Sequence, residues 1–178
     1  MKSLIAFLFL IVTIPIFAQK NLISNGNFDT DATNWRGDAL KFNRIYKYSG
    51  TGSGMINQFV GAEWKGVDQI SNIPKTTYAI EFTVFIKSEG IEGGKENYNA
   101  GVMTIEFTTA VGQSVSYENI AEVKGSNDWK MYKRIVILPP NAKQFRTMLA
   151  LAQTPGTIYF DDVKAVALSE AEYNEIKH

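Results

Sequence analysis

Two adjacent carboxylates near the end of the chain are the first residues whose types and spacing suggest chemistry. Asp161 and Asp162 interrupt residues 156–166, a run of β-branched and aromatic residues typical of a β-strand. In a regular strand Asp161 shares a face with Tyr159 and Val163, and the other carboxylate takes the opposite face. Neither face is polar throughout, so at least one carboxylate has apolar neighbours. A buried carboxylate costs several kcal/mol unless it is paired or binds a metal. The sequence therefore predicts a neutralising partner here.

Composition excludes several other kinds of chemistry. The only histidine is His178, at the end of the chain, which excludes imidazole-based catalysis. Cysteine is absent, so the fold does not rely on disulfides. The 18 basic and 18 acidic residues balance, which argues against an electrostatic nucleic-acid binder. Three isolated acids, Glu63, Glu81 and Glu106, are expected to be solvated and do not form the facing carboxylate pair that a glycoside hydrolase requires.

Residues 1–18 are typical of a secretory signal peptide. Lys2 supplies a positive start, an apolar core follows, and Ala18 is a small residue before the expected cleavage point. The apolar run is shorter than the ~20 residues that span a bilayer, so a membrane anchor is the less favoured alternative. We expect a protein that is secreted, periplasmic or on the cell surface, without a membrane span after processing. Residues 19–167 are then long enough for one domain, and residues 168–178 form a short tail.

The rest of the chain consists of short apolar segments separated by turns. The clearest half-buried strand is at residues 77–87, where apolar and polar side chains alternate. Residues 88–100 form a polar loop long enough to rim a binding site. Ser169 and Glu172 fit a capping box, which predicts a helical turn in the tail. Further strands are predicted at residues 38–48, 55–60, 67–73, 103–107, 114–123, 130–138, 144–152 and 156–167. Roughly ten short strands without an earlier helix predict an all-β, antiparallel β-sandwich.

Several short motifs, in a fixed order, extend through residues 21–167. They are Asn25–Asp29 followed by Asn34-Trp35, Tyr46–Gly50, Gln69–Lys87, Asp128-Trp129 with Val136–Pro139, and Gly156–Val163. In this order and spacing they resemble the signature of carbohydrate-binding modules of the family 4, 9 and 22 type, which begins with N-G-x-F-E and a later Trp. The resemblance implies a jelly-roll β-sandwich related to galactose-binding domains, which binds polysaccharide without cleaving it and commonly holds one structural calcium ion.

The resemblance also implies which residues hold that ion. The family's ligands correspond to Asp29, which follows the motif's Phe, and to Asp161, the first acid of the final strand; carbonyls from Lys47 to Gly50 would add to them. Calcium takes about six to eight oxygen ligands, which carboxylates and carbonyls can supply. Asp29 stands where the family more often has Glu, so its reach is shorter, and the site could rely on water or on Asp31. The alternative is a hydrogen-bonded Asp pair that fixes the strand end without a metal.

The sugar contacts implied by the resemblance are Arg36, Trp64, Tyr117 and Gln153. Sugar rings pack their C–H faces on aromatic planes, while their hydroxyls need hydrogen-bond partners. Trp64 and Tyr117 would stack on the glycan, and Arg36 and Gln153 would bind its hydroxyls. Gln153 is the poorest match, because xylan-binding relatives have Glu near that position.

Each of these residues also has a purely structural interpretation. Trp35 is expected in the core, and Trp129 is expected to start a strand. Arg36 could pair with Asp38 at the surface, where such a pair contributes little. Tyr98, in the long polar loop, is a further candidate for the rim of the cleft.

Three functions therefore stand, in decreasing order. The first is an exported, non-catalytic module that binds a xylan-like or β-glucan-like polysaccharide, with a separate glycoside hydrolase as a possible partner. The second is a structural or adhesive cell-surface sandwich that has no open cleft. The third, least favoured, is a small polysaccharide-active enzyme. The placing of Trp64 and Tyr117, together on a concave face or buried, separates the first from the second.

Overall fold

Nine β-strands and one short helix form the part of the chain that the computed structural model describes, residues 20–61, 63–96 and 98–177. The signal-peptide prediction for residues 1–18 lies outside these residues. The elements are β1 (Lys41–Asn43), β2 (Ser53–Gln58), β3 (Trp64–Asn72), β4 (Ala79–Ile91), β5 (Gly101–Thr108), β6 (Ser114–Val123), β7 (Gly125–Ile137), β8 (Gln144–Ala152), β9 (Gly156–Leu168) and α1 (Glu170–Lys177).

The strands form two antiparallel sheets that pack face to face. One sheet has five strands in the order β1-β2-β9-β4-β7, and the other has four in the order β3-β8-β5-β6. All pairings between these strands are antiparallel. This arrangement confirms the predicted all-β jelly-roll sandwich.

The predicted strand boundaries succeed where alternation is regular and fail where a side chain captures the backbone. The strands predicted at residues 114–123 and 144–152 are confirmed to the residue. The strand predicted at residues 38–48 is wrong, because it is reduced to Lys41–Asn43. The Asn43 side-chain oxygen accepts hydrogen bonds from the backbone N–H groups of Ile45 (2.9 Å) and Tyr46 (2.8 Å). Asn side chains favour such turns over ladder pairing, so the strand ends there.

Large aromatic residues fill the space between the two sheets. Five phenylalanines are fully buried: Phe28, Phe82, Phe107, Phe145 and Phe160. The ring of Phe82 packs edge-to-face against Phe107, at 6.3 Å between centroids, and against Phe145, at 5.4 Å. Such pairs add about 0.5–1.5 kcal/mol beyond the burial of area.

An extra residue in β9 reverses the faces predicted for its carboxylates. Thr83 of β4 pairs with Lys164, but Phe85 pairs with Asp161, so two residues of β4 face three of β9. This is a β-bulge, and Asp162 within it has a φ of 48°. Val163 is consequently buried in the core, and the prediction that it shares a face with Asp161 is wrong.

The bulge is joined to the N-terminal segment of the described chain. The N–H of Val163 donates to the carbonyl of Gly26 (2.8 Å), and the Asn21 side-chain amide donates to the carbonyl of Val163 (3.0 Å). A Cβ atom at Gly26 would lie 2.0 Å from that carbonyl oxygen, so only glycine fits. The first and last segments therefore meet at the bulge.

Candidate functional site

The outer face of the four-stranded sheet contains a cavity of about 470 Å³, called the cleft below. Alternate side chains of the strands point away from the core and line it. The lining residues are Trp64, Tyr98, Val102, Thr104, Tyr117, Glu118, Asn119, Glu122 and Met148. The structure thus brings together Trp64, on one edge strand of this sheet, and Tyr117, on the opposite edge strand. Three inter-strand spacings separate these edges, or about 14 Å.

The aromatic residues of the cleft remain exposed to solvent. The exposed fractions are 50% for Trp64, 57% for Tyr98 and 64% for Tyr117. Within the described residues, none of the three rings packs on another aromatic ring. Their faces are therefore available to a ligand.

Small residues form the base of this face. Ala100, Val102, Ala150 and Ala152 make a separate buried cluster. Beside them, a Cβ atom at Gly66 would come within 2.6 Å of the Ala150 Cβ, so this position admits no larger side chain without a shift of the strand. A base of small side chains beside large exposed rings gives the face its concave shape.

A second, smaller cavity of about 260 Å³ adjoins the cleft and shares Trp64 and Met148 with it. Arg36 lines this cavity. Its backbone forms an antiparallel bridge with Asp68 of β3, with N–H to O distances of 2.7 and 3.0 Å. The bridge holds Arg36 at the edge of the sheet.

Charged side chains cross the outer face in a row that we call the polar ladder: Tyr117, Glu106, Arg146, Asp68 and Arg36. The Tyr117 hydroxyl donates to Glu106 Oε1 at 2.7 Å. Arg146 lies 3.5 Å from Glu106 Oε2 and 2.6 Å from Asp68 Oδ2. Arg36 binds the other oxygen of Asp68. The row thus joins three of the four predicted sugar-binding positions or their neighbours, from β6 to the loop before β1.

The charges of the ladder are balanced and partly shielded from solvent. The side chains of Glu106 and Asp68 are only 12% and 15% exposed. Burial alone would lower the pKa of Arg146, but its hydrogen bond to Asp68 and the charges of Asp68 and Glu106 raise that pKa above its usual value. The prediction that Glu106 is solvated is therefore wrong, since two partners hold it. The expected surface pair of Arg36 with Asp38 is replaced by the pair with Asp68.

The fourth predicted sugar residue, Gln153, lies apart from the cleft. It occupies the turn between β8 and β9, where its N–H donates to the carbonyl of Glu63 at 3.1 Å. It lines a different cavity of about 620 Å³, with loop residues that include Lys95 and Pro155. The cleft and the position of Gln153 are thus separate features.

The other two tryptophans have structural surroundings. Trp35 is 7% exposed and stacks on Phe28 at 5.9 Å between centroids, which confirms its place in the core. Trp129 is half-buried on the five-stranded sheet, where its ring meets the edge of Tyr48.

The predicted metal ligands surround a turn on the far side of the molecule, and Asp161 is fully buried there. Its Oδ2 accepts the backbone N–H groups of Tyr48 (2.9 Å) and Ser49 (3.0 Å), and its Oδ1 accepts that of Asp162 (2.7 Å). Burial raises the pKa of the Asp161 carboxyl, and the three N–H groups oppose that rise.

Asp29 binds the other end of the same turn. Its Oδ1 accepts the N–H of Thr51 at 3.0 Å, and a Cβ atom at Gly50 would lie 1.9 Å from that oxygen. Lys47 is exposed in the middle of the turn. Across residues 20–61, 63–96 and 98–177, no three acidic or other metal-binding side chains form a group that could hold an ion by themselves. A metal here would therefore depend on backbone oxygens.

The sequence interpretation missed Asp68 and Arg146, the centre of the ladder. Each is a single charge among apolar residues of a strand, a pattern that usually means a solvated side chain. The ladder exists because Arg146 of β8 pairs in register with Glu106 of β5, which in turn pairs with Tyr117 of β6. Register between strands far apart in sequence leaves no signal in a single chain.

Comparison with known proteins identifies the fold. No family model matches the sequence, and no curated protein matches it. The xylan-binding family 22 module from Paenibacillus barcinonensis aligns with a TM-score of 0.60 at 12% identity, covering 85% of this chain and 97% of that one. A family 16 carbohydrate-binding module aligns with a TM-score of 0.57 at 17% identity, covering 82% and 99%. The fold is that of carbohydrate-binding modules of families 4, 16 and 22.

The same fold also occurs inside larger proteins. The enzymatically active domain of tailspike protein 4 of bacteriophage CBA120 aligns with a TM-score of 0.64 at 15% identity. The alignment covers 83% of this chain but only 21% of the tailspike chain. Among the described residues, no helix has the length and apolar character needed to cross a membrane.

Proposed function

We propose that the protein is an exported, non-catalytic carbohydrate-binding module whose cleft holds a polysaccharide chain. The observation that carries this proposal is the cleft itself, in which the exposed rings of Trp64 and Tyr117 flank a base of small residues. Two such rings offer stacking surfaces to two sugar units of one chain. Polar groups between the rings, such as Asn119 and Glu122, offer partners for the sugar hydroxyls.

The glycan we propose is a xylan-like or β-glucan-like chain, because xylan-binding modules are prominent among proteins with this fold. An aromatic contact contributes on the order of 1 kcal/mol beyond buried area, so we expect affinities in the micromolar range or weaker. A separate glycoside hydrolase is the proposed partner, since the chain would concentrate its substrate.

The described acids around the cleft support a non-catalytic role. Glycoside hydrolysis needs two carboxyl groups that face each other across the scissile bond. Glu106 is engaged by Tyr117 and Arg146, and Glu118 pairs with Arg134 at 2.9 Å. Carboxylates held in this way are not free to act as acid and base.

The test replaces one stacking ring and compares it with a matched change elsewhere. Trp64→Ala should abolish retardation of the protein in native gels that contain soluble xylan or mixed-linkage β-glucan. Trp129→Ala removes the same kind of side chain from the opposite sheet and should leave retardation unchanged. Circular dichroism should show that both variants keep the β-sheet spectrum. Retention of binding by Trp64→Ala would overturn the site, and failure of the wild type on a broad glycan panel would overturn the function.

We also propose one structural calcium ion at the turn between residues 46 and 51. The donor set suits a hard cation, because the carboxylates of Asp29 and Asp161 and the carbonyls around Lys47 are all oxygens. Asp29, Lys47 and Asp161 would hold the ion, which would supply positive charge beside a fully buried carboxylate. The metal-free alternative is supported by the three N–H groups that already bind Asp161. Removal of calcium separates the two, as described in the Discussion.

A further inference from the structure

We propose that Glu106 is a positioning residue: it fixes the ring of Tyr117 and commits the tyrosine's proton, so that the cleft recognises a free sugar hydroxyl at that point. This inference rests on the proposed function and adds to it the chemistry of one contact. It assigns to Glu106 a role that involves no contact with the glycan.

The geometry of the pair is specific. Glu106 and Tyr117 are opposite each other on β5 and β6, and the phenolic oxygen lies 2.7 Å from Glu106 Oε1. Directly opposed side chains of an antiparallel pair are close enough to interact strongly. The Glu106 side chain is almost buried, whereas Tyr117 is 64% exposed. A mobile surface ring is thus tethered at its tip to a fixed group.

The remaining oxygen of Glu106 is fixed from the other side. Arg146 lies 3.5 Å from Oε2, and Arg146 is itself held by two hydrogen bonds to Asp68 Oδ2, at 2.9 and 2.6 Å. Asp68 is bound in turn by Arg36. Each carboxylate of the ladder therefore faces a guanidinium, which favours its ionised form and limits its movement.

The direction of the hydrogen bond follows from this ionisation. An ionised carboxylate has acceptors only, so the phenol of Tyr117 must donate its single proton to Glu106. Towards a ligand, the phenolic oxygen then offers only lone pairs. A free sugar hydroxyl can donate to it, whereas an oxygen capped by a methyl or acetyl group cannot. The ladder thereby sets which substituents the glycan can carry beside Tyr117.

The test is a double-mutant cycle on the full-length mature protein, read by calorimetry with xylohexaose and a mixed-linkage β-glucan hexaose as probes. Glu106→Met keeps the volume but removes the acceptor, and Tyr117→Phe keeps the ring but removes the donor. Each single change should weaken binding about tenfold, the usual scale for a hydrogen bond to a charged group. Because both changes release the same tether, the double variant should also lose about tenfold. A loss near a hundredfold would mean that the two residues act independently and would overturn the inference.

Conservative rescue provides a second criterion. Glu106→Gln retains an oxygen that accepts from the phenol, so its affinity should stay within about threefold of the wild type. If Gln loses as much as Met while the melting temperatures agree, the hydrogen bond is not the cause, and the inference fails.

A readout without glycan keeps the inference separate from the proposed function. In protein labelled with 3-fluorotyrosine, the resonance missing from Tyr117→Phe identifies Tyr117. That line should shift in Glu106→Met and return towards its wild-type position in Glu106→Gln. An unchanged line would overturn the tether even if the protein binds glycans. Normal tether behaviour with no glycan binding would instead overturn only the proposed function.

Discussion

The outer faces of the two sheets both carry exposed aromatic residues, but they use them differently. On the four-stranded sheet, the rings of Trp64, Tyr98 and Tyr117 surround a hollow. On the five-stranded sheet, Tyr48 lies flat on Phe85, with centroids 3.6 Å apart and an interplanar angle of 13°.

The rings of the five-stranded face are engaged by one another and by the turn that carries them. Tyr46 packs on Tyr159 at 5.1 Å, and the Lys87 amine lies 5.5 Å from the centre of its ring. The backbone beneath Tyr48 is held by Asp161. We infer that this face contributes stability, whereas the four-stranded face contributes binding. The number of exposed aromatic residues is thus a weaker guide to a sugar site than the availability of a ring face.

The strongest test of this division is Asp161→Asn. The substitution places an amide among three N–H donors at a fully buried position, so we expect a loss of about 3 kcal/mol in the free energy of unfolding, measured with urea. The matched control is Asp162→Asn, on a partly exposed neighbour, which should cost less than about 1 kcal/mol. Glycan affinity of the folded fraction should not change. Weaker binding in Asp161→Asn would show that the two faces are coupled.

A pair of tyrosine substitutions compares the two faces directly. Tyr48→Ala removes a stacked ring and should lower the free energy of unfolding by about 2 kcal/mol without changing affinity. Tyr98→Ala removes a 57% exposed ring that lines the cleft, so it should lower affinity about fivefold and stability by less than about 1 kcal/mol. Denaturation and calorimetry on both variants provide the comparison. The opposite pattern would contradict the assignment of the faces.

Removal of calcium should act on the five-stranded side alone. If the turn at residues 46–51 binds the ion, a chelator should lower the melting temperature by several degrees, about 1 kcal/mol for a domain of this size. Added calcium should restore it, and added magnesium should do so less well. A melting curve that ignores the chelator would mean that hydrogen bonds alone neutralise the two carboxylates.

The smallest expected effect is that of Arg36→Gln. Its side chain is 58% exposed, so loss of the ion pair with Asp68 should change the free energy of unfolding by less than about 0.5 kcal/mol. Affinity should fall about threefold, because the residue lines the cavity beside Trp64. Equal loss in Lys65→Gln, a charge change on the neighbouring strand position, would show that the effect is only one of net charge.

Much of the fold could be predicted from the sequence, because local patterns determine it. Alternation located most of the strands, and the buried Phe28 and Trp35 follow from the N-terminal motif. The failures are local in origin too. The Asn43 side chain ended a strand that periodicity extended, and the bulge at Asp162 shifted the faces of β9. Single side chains that compete with the backbone do not alter a hydrophobic pattern, so the pattern could not reveal them.

The candidate site was less predictable than the fold. Resemblance nominated Trp64, Tyr117 and Arg36, which the structure places beside connected cavities, and also Gln153, which it places elsewhere. The charged residues between them were not nominated. Their partners come from strands separated by up to 78 residues, and a single sequence does not specify which residues face each other at that distance.

The bulge in β9 also bears on the order in which the chain can be completed. Asn21 and Gly26 take their main-chain partners from Val163, which lies more than 130 positions later. The segment synthesised first therefore has no docking place until the last strand has been laid down beside β4. Closing so long a loop is slow compared with forming a local hairpin. Deletion of Asp162 would restore regular alternation in the strand, yet it would remove the point at which the two ends of the domain are fastened.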